Sequence, residues 1–141
     1  MIEASAEGAL RTKLASNATR KSALGIRGRF NTNRNDGTIT RFGWKAQNKS
    51  LLLFSGEAYN VEVGVTNELF PQKREENADC AAVATPEDHG NPGNAAPGDI
   101  YAQAFFMRVL APPMPSESSA SADNGQVPFD TTGCGLCHRL R

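Results

Sequence analysis

Cys134, Cys137 and His138 stand in the run Thr131-Thr-Gly-Cys-Gly-Leu-Cys-His138, and C-x-x-C-H is the spacing of covalent c-type haem attachment. If the segment is helical, residues three and four apart share one face. Both thiols then reach the two vinyl groups of a porphyrin, and the His138 imidazole projects from the same face toward the iron as its proximal ligand. Thr131 or Thr132 is placed to cap the first turn of that helix. Three residues follow His138, so whatever covers the second face of such a haem is expected outside residues 1–141.

Two other chemistries use the same residue types. A zinc site built on Cys134 and Cys137 needs a fourth ligand from Cys80 or His89, and it asks the chain neighbours Cys137 and His138 to share one tetrahedral ion. A thiol–disulfide pair is the usual meaning of C-x-x-C beside a βαβ pattern, and no such pattern is found here. Only three Cys occur in the chain and two fall in this spacing, so haem attachment is the reading we take.

The elements that must position these residues are read from the rest of the chain. A length of 141 residues suffices for one ordinary domain, although 39% hydrophobic and 7% aromatic content is a thin apolar supply. Thirteen Gly and eight Pro predict many turns. No run approaches the roughly 20 apolar residues of a membrane span. The first residues, Met-Ile-Glu-Ala-Ser-Ala-Glu-Gly, lack the basic and apolar regions of a signal peptide, so an exported haem protein would have its leader upstream of this piece.

The formal net charge is zero, but the charges are segregated. Nine Lys and Arg lie between Arg11 and Lys45 against the single acid Asp36, and nine acids lie between Glu57 and Asp99 against Lys73 and Arg74. A basic stripe is what an acidic partner or haem propionates would need. The interleaved aromatics are too few for a nucleic-acid surface. Solvated charge, with some pairing between the segments, is the ordinary outcome and the one we expect.

In chain order, residues 1–24 carry apolar residues near i, i+4 spacing and predict a short amphipathic helix. Residues 25–44 read as strand, turn, strand, with Asp36-Gly37 supplying the positive-φ positions of a tight hairpin. The Asn-rich turn fails as a calcium loop, because Thr32 and Arg34 would fall where carboxylates are needed. Ser50 is an N-cap for a helix over about 51–63. Residues 71–98 are loop. There Cys80 either pairs with a cysteine outside this piece or is a buried thiol, and His89 is an exposed loop residue. Asp99 is expected to cap a helix over about 100–111 that Pro112-Pro113 stops. Residues 114–128, rich in Ser and Ala, read as a linker, and 129–141 as the start of a haem domain.

Four ordered stretches, RFGWKAQ (41–47), SGEAYNVEVGVTNELFPQ (55–72), FMRVLAPP (106–113) and GCGLCH (133–138), resemble the bacterial di-haem oxidoreductases. This peroxidase-like family is also labelled thiol oxidoreductases and is related to the di-haem cytochrome c peroxidases. The resemblance covers nearly all of 25–138 and implies that Cys134, Cys137 and His138 form the second of two haem sites, the first lying upstream of Met1. It further implies that an acidic residue near the open haem helps proton transfer to peroxide. Glu57, on the 51–63 helix, is the candidate, against the default of a solvated acid on a helix face.

Trp44 suggests electron transfer between haems, but we read it as packing a core. Met107 offers an axial ligand type, yet Met107 and Met114 are read as apolar filling.

The expectation is therefore a mainly α, cytochrome c-like segment with a small β-hairpin, long loops and an incomplete domain. Its residues 1–113 would be the connecting region of a periplasmic di-haem oxidoreductase that takes electrons from a redox partner protein or small donor. A mono-haem carrier and a non-enzymatic zinc module are the alternatives.

Overall fold

A computed structural model of the chain describes residues 3–77, 79–80, 86–91, 93, 97–114 and 116–138. Its elements are α1 (Glu7–Ala15), α2 (Ala18–Ala23), α3 (Leu51–Ala58), β1 (Thr66–Asn67), β2 (Glu87–Asp88), α4 (Asp99–Val109) and α5 (Ala120–Thr131). A π-helical turn over Tyr59–Val63 extends α3, and a 3-10 turn over Cys134–Leu136 follows α5. Among the described residues the protein is mainly helical with one small parallel sheet. The chain divides into two compact units: Met1–Glu3 with Phe30–Ala111, and Ala4–Arg29 with Pro112–Arg141.

In the first unit, α3 starts where expected, because the Ser50 hydroxyl accepts the Leu53 N–H at 3.2 Å. The helix buries Leu51, Ser55 and Gly56 and packs against α4. Ile39 and Leu51 join the fully buried Ile100 and Ala104 in a small core. Met107 is half-buried on α4, whereas Phe105 and Leu110 are exposed. The Glu3 carboxylate accepts the Leu51 N–H at 2.9 Å and Arg108 Nε–H at 2.7 Å, and the Arg108 guanidinium holds its carboxyl below the ordinary range.

The expected hairpin over 25–44 is reduced to one isolated antiparallel bridge, Thr32 with Ile39, and a second bridge, Phe42 with Asn48, runs beyond that range. The chain does reverse at Gly37 (φ +72°). Asn33 and Asp36 side chains take the Asn35 and Thr38 N–H groups, and such local bonds compete with a strand ladder. The sheet lies elsewhere and is parallel, Thr66 opposite Glu87 and Asn67 opposite Asp88.

That pairing delivers a cap. Asp99 was the expected cap of α4, but Gly98 occupies that position without a side-chain bond. Asp88, at the end of β2, accepts the Asp99 and Ile100 N–H groups at 2.6 and 2.9 Å, a carboxylate set against the helix's positive end. Asp88→Ala should lower the unfolding free energy by about 1–2 kcal/mol, and Asp88→Asn by less, in urea titrations followed by circular dichroism.

In the second unit, Ser119 caps α5 through the Ala122 N–H at 3.2 Å. Residues 120–128, read as linker, are therefore helical, and α5 runs through Gly125 and Pro128 to Thr131. Residues 1–24 hold two helices rather than one, broken at Asn17 (φ 57°). The buried Lys21 donates to the Lys13 and Leu14 carbonyls at 3.0 and 3.1 Å, neutralising the carbonyl end of α1.

Candidate haem-attachment site

The motif does not lie on an α-helix beginning at Thr131. That helix ends there, and the Thr131 and Thr132 hydroxyls donate back to the Pro128 carbonyl at 3.2 and 2.6 Å instead of capping forward. Gly133, at φ +92°, turns the chain out of α5 in a conformation that favours glycine. The 3-10 turn then closes through Leu136 N–H to Gly133 O (3.0 Å) and Cys137 N–H to Cys134 O (3.2 Å). His138 N–H reaches the same Cys134 carbonyl at 2.9 Å, so Cys134 and His138 stand one hydrogen-bonded turn apart.

Leu136 is the anchor, 2% exposed, while Cys134, Cys137 and His138 on either side are exposed. Both thiols are free, and the Thr132 hydroxyl oxygen is 3.4 Å from Cys134 Sγ. A cavity of about 650 Å³ opens beside Cys137, walled by Ala9, Thr12, Lys13, Ser16 and Asn17, and its size is that of a ligand pocket. Two accessible thiols, an imidazole one turn on and an adjoining cavity fit a covalently tethered porphyrin. Zinc is served less well: among the described residues no three His, Cys, Asp or Glu side chains converge as metal ligands. Cys80 is exposed, which removes the buried-thiol alternative, and His89 is an exposed loop residue with Nδ1 3.0 Å from Glu87 Oε2.

Sequence reasoning missed the cations that hold this turn. Lys13 Nζ donates to the Gly135 and His138 carbonyls at 3.0 and 3.2 Å, and the Arg20 guanidinium donates to the Asp130 carbonyl at 3.2 Å. The basic run was the visible signal, and Lys13, Arg20 and Lys21 within it donate to backbone carbonyls.

In the first unit, Glu57 and Trp44 line one cleft of about 310 Å³ together with Gln47, Phe54, Glu62 and Arg74. Glu57 Oε2 accepts from the Asn48 and Gln47 side-chain amides, and Oε1 is 3.5 Å from Arg74 Nη1. All these partners are donors, so the carboxylate braces the 43–48 turn against α3.

Trp44 does not pack a core; it is 82% exposed. The turn that carries it has positive φ at Gly43, Lys45 and Ala46, which holds the indole at the surface, and the neighbouring half-buried Phe42 ring contacts Phe54 instead. Met114 is exposed because it lies beyond Pro112-Pro113, outside α4.

No helix of the described residues is long and apolar enough to cross a membrane. Compared with protein-family models, with curated proteins and with solved structures, the chain matches none.

Proposed function

We propose that the chain is the c-type haem-binding, electron-transfer portion of a peroxidase-like di-haem oxidoreductase. Cys134 and Cys137 would tether haem c and His138 would serve as its proximal ligand. The observation that carries this is the anchored turn at 134–138. Its one buried side chain, Leu136, fixes the backbone, while both thiols and the imidazole remain exposed within a single hydrogen-bonded turn.

Bound haem supplies one-electron chemistry at iron. The residues of the chain would do the rest: the Cys134 and Cys137 sulfurs would tether the porphyrin and His138 would ligate the iron, while α1 walls the cavity at Cys137. The cytochrome c-like character of this unit belongs to the same proposal, as does a periplasmic location, where a redox partner protein or small donor would deliver electrons. For peroxide reduction Glu57 is the candidate proton carrier.

The test is maturation of the full chain in a host that exports and assembles c-type cytochromes. The expected result is a tetrapyrrole retained in denaturing mass analysis, with the shifted α-band of thioether-linked haem in alkaline pyridine. A chain with no added tetrapyrrole overturns the proposal.

A further inference from the structure

We infer that Lys13 is a positioning residue for covalent attachment, holding the 134–138 turn in the shape that offers its thiols; this rests on the haem reading above. The turn is weakly constrained by itself. A 3-10 turn has poor hydrogen-bond geometry, and glycines at 133 and 135 leave its backbone loose. The 3-10 turn ends at Leu136, so its last carbonyls lack partners within it.

The Lys13 ammonium meets that need by donating to Gly135 O at 3.0 Å and His138 O at 3.2 Å. Those two carbonyls lie before and after Cys137 along the chain, so one cation ties the backbone on either side of the second thiol, though not the two peptides next to it. Lys13 is itself fixed, because its own carbonyl accepts Ser16 Oγ–H at 2.7 Å and Lys21 Nζ–H at 3.0 Å. It also walls the cavity that opens at Cys137.

Attachment joins each thiol to a vinyl group of a reduced divinyl iron porphyrin. The sulfur bonds to the carbon next to the ring, the thiol hydrogen passes to the terminal carbon, and no net oxidation occurs. Lys13 makes none of these bonds; it sets where the Cys137 sulfur stands.

Full-length wild type, Lys13→Met and Lys13→Arg are compared as apo chains by amide hydrogen exchange, and then by covalent uptake of reduced divinyl iron porphyrin followed by mass. Methionine keeps helix propensity, so the circular dichroism of α1 should not change. In Lys13→Met, exchange at Cys137 and His138 should quicken about fivefold, the scale of one net hydrogen bond. Attachment should slow by a similar factor, and Lys13→Arg, which keeps charge and donors, should stay near wild type in both. Unchanged exchange or unchanged attachment in Lys13→Met overturns the assignment, as does an arginine variant that behaves like the methionine one. If wild type takes up no porphyrin, the haem reading falls and the exchange data alone decide whether Lys13 holds the turn.

Discussion

A Cys134→Ser/Cys137→Ser chain, matured beside wild type, should retain no tetrapyrrole after denaturation, a complete loss rather than a graded one. Serine is close to cysteine in size and both positions are exposed, so the Leu136 anchor and the backbone bonds of the turn should persist. What disappears is the sulfur, the nucleophile that a hydroxyl oxygen does not replace in this addition. Each single serine variant should keep one thioether and show an α-band displaced from wild type. His138→Ala should keep both thioethers but lose the proximal ligand, with altered iron spectra and impaired electron transfer. Mass analysis read with haemochrome spectra separates these outcomes. Tetrapyrrole held covalently by the double variant would show that the attachment point lies elsewhere.

The largest stability effect should come from a residue with no part in that chemistry. Asn67→Ala is expected to destabilise the first unit by on the order of 3 kcal/mol, a large share of the roughly 5–15 kcal/mol that holds a domain folded. Asn67 is fully buried; its Nδ2 donates to Gly56 O at 2.9 Å, and its Oδ1 accepts the Leu69 and Phe70 N–H groups at 3.1 Å each. Alanine leaves one buried carbonyl and two amides without these partners and removes the tie between α3 and the 67–70 turn. A carbon atom added at Gly56 would stand 3.1 Å from Asn67 Oδ1, so the contact is close-packed as well as polar. Asn67→Asp keeps the two acceptor bonds and loses the donor, and should fall between wild type and alanine. Urea unfolding followed by circular dichroism reads both, and an alanine variant within about 0.5 kcal/mol of wild type would reject this account.

What could be read from the sequence was local. Ser50 followed by apolar residues at helical spacing located α3 and its extension, and Pro112-Pro113 bounded α4, because caps and breakers act within a few residues. The 134–138 motif was legible for the same reason, although its helical setting was not: Gly133 breaks the helix that Thr131 ends. Alternation could not foresee that Asn33 and Asp36 would take backbone N–H groups from a ladder. Gly125 and Pro128 hid α5, which holds through its Ser119 cap. Trp44 misled because bulk argues for burial, while the strain of its turn is visible only in φ. Partners far apart in sequence, Glu3 with Arg108 or Lys13 with Gly135, have no signature in spacing at all.

The two-part second unit has a kinetic consequence. In chain terms the segment 30–111 is an insertion whose ends must meet before residues 4–29 can join 112–141. Loop closure opposes that meeting by an entropy that grows as (3/2)RT ln n, about 4 kcal/mol for n near 80 before the constant term. When the inserted segment condenses first, the Glu3–Arg108 ion pair draws residue 4 toward residue 111 and shortens the effective loop. Assembly of residues 4–29 with 112–141, and with it formation of the 134–138 turn, then follows condensation of the middle segment.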